Sequence, residues 1–520
     1  MSYQLVWFKR DFRCEDHTAL VEAAKLGPIR CIYVLEPMLW LQPDVSLQHF
    51  EFIRECLQDL DAQLRVRGGA LEIHVGELTE VLAKIWHTSP FQGLHSHQET
   101  GNGFTFTRDR EVGKWCQSHG VHWGEYIQFG VVRALKNRNT WQASWRKHME
   151  APLDNPPQIK FWEAPLSSNL ILNSAAHYLT PSKMLAPQYL KHNPPLRQCG
   201  GRSAALKTLD NFLKQRSNWY RGGISSPLSA PDACSRLSVY LSYGCLSIRE
   251  VVRATNEELL QTLPHEVRKK SGLSAFMSRL YWHCHFIQKL ESEPEIEWQN
   301  MHRGYDGLRE NEFNDDYFNA LKDGKTGWPM VDACVIMLRE TGWLNFRMRA
   351  MLVSVAAYPL WLHWRPVGEW LATQFLDYEP GIHWSQLQMQ SGTTGINVTR
   401  VYNPIKQAQD HDQKGVFVRK WLPHMRQIPD TWLFEPWKMT QEVQNNIGIY
   451  VGKDIPDPLV DIVMATKVSK NRLHAIRNLP ETRAGKKSVI DKHASRASRT
   501  DRKSSKVKAK VTSPQLTLEF

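Results

Sequence analysis

Cysteine pairs with the spacing of metal or redox sites are missing from this sequence. Its nine cysteines are scattered, none belongs to a Cys-x-x-Cys pair, and none follows Cys334. This pattern argues against a secreted disulfide framework and indicates a reducing compartment. An iron–sulfur cluster in the C-terminal half would need four suitably spaced cysteines, so we expect no cluster and no structural metal.

Apolar runs long enough to span a bilayer are missing as well, and the N-terminus does not resemble a signal peptide. We therefore expect a cytoplasmic protein that makes no membrane contact. The 520 residues can bury a large core, and this length predicts two or more domains.

Negative charge is scarce at one end of the chain. The net charge is +12, but residues 470–520 carry 14 Lys and Arg against 4 Asp and Glu, which is +10. Affinity for nucleic acid must therefore come from a local patch and from this tail, because the rest of the chain is nearly neutral. Lys470–Lys510 is mostly Lys, Arg, Ser and Ala without an apolar stripe, and this composition predicts a disordered basic tail over residues 465–520.

Short apolar strands alternate with amphipathic helices over residues 1–130. This alternation predicts a Rossmann-like α/β domain with a parallel sheet. Residues 131–199 are rich in Pro and Asn and are interpreted as an interdomain connector. Residues 200–464 are predicted to form a large all-α domain. The predicted strands cover residues 5–8, 29–35, 70–75, 93–95 and 121–126, and the predicted helices cover 16–24, 50–67, 78–86 and 108–118.

The stretch from Gly324 to Pro404 places charged side chains among apolar helices. A charge in such a setting needs a partner or a polar ligand. A glycine-rich turn, Ser391–Gly395, lies in the same stretch. These features suggest a pocket for a flat cofactor with polar edges. The charges are Arg347, Arg349, Asp377 and Glu379, and six tryptophans accompany them: Trp328, Trp343, Trp361, Trp364, Trp370 and Trp384.

This stretch resembles the FAD-binding core of the photolyase/cryptochrome family. The resemblance extends to the N-terminus and covers roughly the first nine-tenths of the chain. It implies bound FAD in the helical domain and an antenna chromophore, a folate or a deazaflavin, in the α/β domain. The matching pieces are Trp7-Phe8-Lys9-Arg10-Asp11-Phe12-Arg13, Thr326-Gly327-Trp328-Pro329, Thr341-Gly342-Trp343 and Asn403-Pro404.

The resemblance also implies a set of FAD-binding residues. Ser hydroxyls and backbone amides at a helix start suit a pyrophosphate, although a plain helix cap is the alternative interpretation. An arginine that keeps its charge when buried suits a reduced, anionic flavin, although a structural ion pair is again the alternative. The implied residues are Tyr220, Cys234, Ser235, Arg236, Leu237, Ser238, Arg349, Asp377, Glu379 and His383.

His383 stands where the family places Asn, Asp or Cys facing N5 of the flavin. A histidine there could donate or accept a hydrogen bond, and we expect its charge to be able to change near neutral pH. The family rule that relates this position to repair or signalling therefore does not distinguish the two functions in this sequence.

The resemblance assigns Trp282 to stacking on a flipped pyrimidine dimer, with core packing as the alternative. It assigns Arg347 and Arg400 to DNA phosphates, with helix–helix ion pairs as the alternative. Two positions depart from the family pattern for dimer repair: Arg279 replaces a Glu, and Phe346 replaces an Asn.

The tryptophan chain that carries electrons to the flavin in this family is incomplete. Trp364 matches its middle member. Leu387 occupies the position nearest the flavin, and no Trp lies between Gln299 and Trp328 to serve as the outer member. The candidate substitutes are Trp343, Trp361, Trp370 and Trp384.

The expected function is light-driven repair of UV-damaged DNA by a monomeric, nucleoid-associated enzyme, in which excited reduced FAD donates an electron to a pyrimidine dimer. The alternative is a cryptochrome-type blue-light photoreceptor that signals to a protein partner. The C-terminus adds one more resemblance, to the peptide by which bacterial repair proteins bind the sliding clamp. Its residues are Gln515, Leu516, Leu518 and Phe520, and a terminal strand packed on the body is the alternative.

Overall fold

The N-terminal domain is built on a five-stranded sheet in the order β3-β2-β1-β4-β5. The computed structural model describes residues 3–154, 158–162, 192–396 and 400–494. All four strand pairings are parallel, which confirms the predicted parallel sheet. The strands are β1 Gln4–Phe8, β2 Ile29–Leu35, β3 Leu71–Val75, β4 Gly93–His97 and β5 His122–Tyr126.

The two faces of this sheet join different cores, because successive side chains of a strand point to opposite faces. Leu5 and Trp7 of β1 pack in a cluster that also contains residues of the helices after β3 and β4. Val6 and Phe8 belong to a second cluster, which continues into the helical domain as far as Leu376. One face of the sheet is thereby fixed to the helical domain.

Five helices flank the sheet. Four of them were predicted from the sequence, and these begin and end within a few residues of their predicted bounds. The largest difference is at the fifth helix, which begins at Gly103 because the Asn102 side chain accepts a hydrogen bond from the amide of Thr105. The helices are α1 Thr18–Leu26, α2 Pro37–Trp40, α3 Leu47–Val66, α4 Leu78–Thr88 and α5 Gly103–Ser118.

The described part of residues 131–199 contains a helix, α6 Trp141–Glu150. Trp141 anchors it, because this side chain is buried and its indole N–H donates to the Gly130 carbonyl at 3.0 Å.

The helical domain follows from Arg202. None of its described helices, and none in the rest of the described chain, is both long and apolar enough to cross a membrane. Its helices are α7 Arg202–Asn211, α8 Ser217–Gly223, α9 Ala230–Ala233, α10 Ser238–Ser242, α11 Ile248–Gln261, α12 Val267–Ser292, α13 Asp315–Asp323, α14 Pro329–Thr341, α15 Phe346–Ala357, α16 Trp364–Gln374, α17 Pro380–Ser391, α18 Pro404–His411, α19 Val416–Trp421 and α20 Gln441–Ile447.

The prediction of disorder from residue 465 onward is wrong for the part of the tail that the structure describes. Two helices, α21 Ile462–Arg477 and α22 Pro480–His493, continue the fold. Helix α21 lacks a full apolar stripe and is instead anchored by a few side chains. Leu473 is buried, and the Ser469 hydroxyl donates to the Tyr358 carbonyl at 2.6 Å. Residues 495–520, including the clamp-like peptide, lie outside the described residues.

A buried histidine–carboxylate cluster lies at the carboxyl ends of β1 and β4. Asp11 Oδ2 is 2.9 Å from His17 Nε2 and 2.7 Å from His97 Nδ1. His17 Nδ1 accepts the Leu20 amide at 3.1 Å, so Nε2, which faces Asp11, is the nitrogen of this ring that can donate. The contact between His97 Nδ1 and Asp11 is a hydrogen bond, whereas His17 Nε2 and His97 Nε2 have no hydrogen-bond partner among the described residues.

Candidate flavin and DNA site

A cavity of about 310 Å³ lies inside the helical domain, between residues of α8, α12, α15, α16 and α17. Apolar side chains form much of its wall, including Trp343, Val353, Leu371, Phe375 and Ile382. The structure brings nine of the ten predicted cofactor residues to this wall. They are Tyr220, Cys234, Ser235, Arg236, Ser238, Arg349, Asp377, Glu379 and His383. The tenth, Leu237, is fully buried in the core beside the cavity.

Arg349 and Asp377 form a bidentate ion pair at the cavity wall. The two guanidinium–carboxylate distances are 2.9 and 3.0 Å, and Arg349 Nε also donates to the Leu344 carbonyl at 2.6 Å. Burial alone would raise the pKa of Asp377, but the Arg349 charge holds this pKa below its ordinary value. Asp377 therefore stays ionised beside the cavity, and the Arg349 guanidinium lies 4.1 Å from the centre of the Phe375 ring.

Arg236 adds a second cation to the cavity wall, from a backbone with a φ of 60° that non-glycine residues seldom adopt. Its guanidinium lies 3.9 Å from the centre of the Trp343 ring, and burial lowers its pKa to about 10. Arg216 fixes the neighbouring backbone by donating to the carbonyls of Cys234 and Ser235. Cationic groups therefore surround the Cys234–Ser238 segment.

Four buried polar atoms at the cavity wall have no hydrogen-bond partner among the described residues. They are Asn345 Oδ1, Gln386 Oε1, Glu379 Oε1 and His283 Nε2. Buried polar groups are normally satisfied, and each unmet group costs about 1–3 kcal/mol. A ligand with apolar faces and several polar edge atoms would satisfy them, and FAD has this chemistry. The residues present therefore fit FAD.

Glu379 connects the cavity to the N-terminal domain. Its Oε2 lies 3.6 Å from a guanidinium nitrogen of Arg10, which also donates to the Tyr378 carbonyl at 2.9 Å. Burial raises the pKa of Glu379 to about 7, although the Arg10 charge opposes this shift.

The charge of His383 differs from what the sequence led us to expect. Its Nε2 lies 2.9 Å from the Gly368 carbonyl, which can only accept, so Nε2 carries the proton. Burial lowers the pKa of His383 to about 3. The expected change of charge near neutral pH is therefore wrong: the ring is neutral there, and Nδ1 is a hydrogen-bond acceptor at the cavity wall.

The tryptophans near the cavity form a short chain behind His383. The ring centres of His383 and Trp384 are 4.9 Å apart, and those of Trp384 and Trp364 are 6.0 Å apart. Both indoles are fully buried, and the Trp364 N–H donates to Asn300 Oδ1 at 2.8 Å. Of the four candidate substitutes, Trp343 lines the cavity itself. Trp361 and Trp370 pack elsewhere, against Arg309 and Phe318.

A larger open groove of about 1340 Å³ adjoins the cavity, and Ile224 and Arg279 line both. Trp282 and Arg347 both line the groove, so the structure brings these two predicted DNA residues to one surface. Trp282 is half-buried, with its ring centre 4.9 Å from that of His285. The other predicted DNA residue, Arg400, is exposed and lines neither the groove nor the cavity.

The groove contains cations that the sequence motifs did not single out. Arg221, Lys270 and Lys414 line it together with Arg279 and Arg347. The described lining includes two carboxylates, Asp410 and Asp412, so the groove is basic on balance. No spacing signal identifies these cations, because they come from three distant segments; only the fold brings them together.

A small cavity of about 90 Å³ lies at the carboxyl ends of β1 and β2, in the domain where the antenna chromophore is expected. Its cations are already paired: Lys9 lies 2.9 Å from Asp109, and Arg108 contacts Glu36 and Glu99. Ligand pockets are usually several hundred Å³ in size, so the antenna chromophore stays a prediction.

Comparisons with known proteins agree with this architecture. A family model described as "FAD binding domain of DNA photolyase" matches residues 276–475, and one described as "DNA photolyase" matches residues 4–128. The deoxyribodipyrimidine photo-lyase of Alkalihalophilus pseudofirmus is 25% identical over 88% of this chain and 95% of its own length. Cryptochrome-1 of Aedes aegypti is 24% identical, over 92% and 94%. The crystal structure of a class III photolyase from Agrobacterium tumefaciens superposes with a TM-score of 0.75 at 21% identity, and covers 92% of this chain and 98% of the other.

Proposed function

Because the chain belongs to the photolyase/cryptochrome family and its helical domain is a FAD-binding domain, we propose that it repairs UV-induced pyrimidine dimers in DNA in a light-dependent reaction. One observation carries this proposal: the basic groove with Trp282 at its wall opens beside the flavin cavity, and Arg279 lines both. A nucleic acid in the groove could therefore present unstacked bases to the cavity.

Bound reduced FAD would supply the excited electron for dimer splitting. The protein side chains would bind and orient it. Arg349, held by Asp377, would favour a negatively charged flavin, since an arginine keeps its charge when buried. The hydroxyls of Ser235 and Ser238 would bind the phosphates of FAD, with the cations Arg216 and Arg236 near them.

The neutral ring of His383 would act at the flavin edge as a hydrogen-bond acceptor through Nδ1. In the groove, Arg347 would bind a phosphate without reading sequence. Trp282 would stack on the flipped lesion. Arg279, in the place of a family glutamate, adds positive charge where the groove meets the cavity, which would attract a phosphate next to the lesion.

Repair can be tested directly with the purified, photoreduced full-length protein and an oligonucleotide that contains one thymine dimer. We expect blue light to restore thymine absorbance in proportion to the light dose. A dark sample and an undamaged oligonucleotide are the controls. Absence of recovery, from a protein with full flavin content, would contradict repair of this lesion.

The second candidate is a cryptochrome-type photoreceptor, and the two departures at Arg279 and Phe346 favour it. Both side chains line the flavin cavity. Because they are an arginine and a phenylalanine, they do not supply the carboxylate and the amide that dimer photolyases commonly present there. This candidate predicts photoreduction without dimer repair, so the same assay separates the two functions.

Photoreduction of the bound flavin should depend on Trp384 and Trp364, although Leu387 has replaced the usual proximal tryptophan. We expect Trp384→Phe and Trp364→Phe each to slow photoreduction by about tenfold or more, which corresponds to about 1.4 kcal/mol or more in the barrier, because phenylalanine is harder to oxidise than tryptophan. Flavin absorbance under blue light with an external reductant measures the rate. Trp370→Phe is the matched control, since Trp370 contacts Phe318 outside this chain of rings. Equal rates in all four proteins would exclude the route.

A further inference from the structure

A further cavity of about 290 Å³, separate from the flavin cavity and the groove, lies where the two C-terminal helices meet the body of the helical domain. Its wall includes Arg477 at the end of α21 and Arg483 and Lys486 in α22. The opposite wall is formed by His302, beside a short 3-10 turn at Arg303–Tyr305. Three cations and no carboxylate are found among the described lining residues.

His302 provides a buried hydrogen-bond donor in this wall. The residue is 2% exposed, and its Nδ1 accepts the Gly304 amide at 3.1 Å. Nε2 is therefore the nitrogen of this ring that can donate. This Nε2 is buried and has no hydrogen-bond partner among the described residues. A buried donor normally has a partner, so this atom points to a ligand with an acceptor.

Two glycines lie close to the ring of His302. A Cβ at Gly395 would lie 2.3 Å from its Cδ2, and Gly395 itself has a φ of 65°. A Cβ at Gly485 would lie 3.0 Å from its Cε1 and 3.2 Å from its Nε2. The segment around Gly395 and α22 can therefore approach the ring this closely because both positions are glycine.

The cations at this wall are poorly neutralised by the protein. Arg477 and Lys486 form no ion pair with any described carboxylate, and the hydrogen bond of Arg483 goes to the neutral Asn478 amide, at 2.9 Å. Other cations of the same helices are paired, since Arg472 contacts Glu312 and Lys492 contacts Glu293. An anion with several acceptor oxygens would complete this site.

We propose that this cavity binds a phosphate group. A tetrahedral phosphate offers acceptors for the buried donor His302 Nε2 and for two or three cationic side chains at once. The group could come from a nucleic-acid backbone or from a free phosphate compound. The chemistry is the same in both cases, and the proposal does not depend on the repair function.

The test uses the full-length protein with its flavin content recorded and titrates inorganic phosphate into it by calorimetry at constant ionic strength. We expect one phosphate to bind per chain. In Arg477→Gln/Lys486→Gln the affinity should fall by about tenfold or more, because charge-assisted hydrogen bonds are lost. The matched control is Lys470→Gln/Lys487→Gln, which removes the same charge from exposed positions of the same two helices. Unchanged binding in the first variant, equal loss in both, or no binding to the parent protein would overturn the proposal.

A second measurement identifies the source of the phosphate. If the group belongs to a DNA strand, the slope of log affinity for undamaged duplex against log salt should become shallower by up to about 2 in Arg477→Gln/Lys486→Gln, and less in the control. An unchanged slope together with lost phosphate binding would assign the site to a free phosphate compound. His302→Phe removes the buried Nε2 donor together with the Nδ1 acceptor of the Gly304 amide, and it should weaken phosphate binding.

Discussion

Replacing Arg349 with alanine should leave the purified protein with little or no flavin. The substitution removes the cation at the cavity wall and leaves the 5%-exposed Asp377 carboxylate without its partner. Loss of one member of a buried charge pair costs about 2–5 kcal/mol, which corresponds to roughly a 30- to 5000-fold weaker affinity for FAD. The ratio of visible flavin absorbance to protein absorbance in the ultraviolet measures the occupancy.

The control for this prediction must separate loss of flavin from loss of fold. Arg197→Ala breaks another bidentate arginine–carboxylate pair, with Glu55, that does not line the cavity. It should lower the free energy of unfolding but keep the flavin. Arg349→Ala/Asp377→Ala removes both charges, so it should fold better than the single variant and still lack flavin. An Arg349→Ala protein with full flavin content would show that the pair is structural.

The parallel sheet was predictable because its strands are short, apolar and separated by amphipathic helices. Ile29–Leu35 was predicted with its observed bounds, since both of its faces are buried and β-branched residues are frequent in it. The C-terminal helices were not predictable in the same way. Their stability depends on single contacts with distant residues, such as Ser469 with Tyr358 and His493 with Glu293, and no local apolar pattern indicates such contacts.

Some features of the flavin cavity were likewise predictable from the sequence, and others were not. The residues in long family motifs, such as Arg349 and Asp377, were predicted from the sequence and line one cavity. The link from Arg10 to Glu379 joins two domains, and the unsatisfied amide of Gln386 becomes visible only when every neighbour is known. The charge state of His383 was mispredicted because it depends on burial and on the Gly368 carbonyl rather than on residue type.

Replacing Trp282 with alanine should weaken binding to dimer-containing DNA far more than binding to undamaged DNA. The indole lines the groove beside Arg279, at the junction with the flavin cavity. One lost stack between a base and an aromatic ring costs about 1–3 kcal/mol, which is roughly a 5- to 150-fold change in dissociation constant. Undamaged duplex does not place a flipped base there, so its affinity should change little. Fluorescence anisotropy with matched oligonucleotides measures both constants.

Two further variants serve as controls for this prediction. Arg347→Ala should weaken binding to both DNAs about equally and reduce the salt slope by about 0.9, because a phosphate contact carries no information about the lesion. Trp298→Ala removes an exposed indole that lines neither the groove nor the flavin cavity, so it should change neither affinity. If Trp282→Ala weakened binding to both DNAs equally, as Arg347→Ala should, the indole would be a packing residue of α12, and recognition of the lesion would have to come from Arg279 and the rest of the cavity mouth.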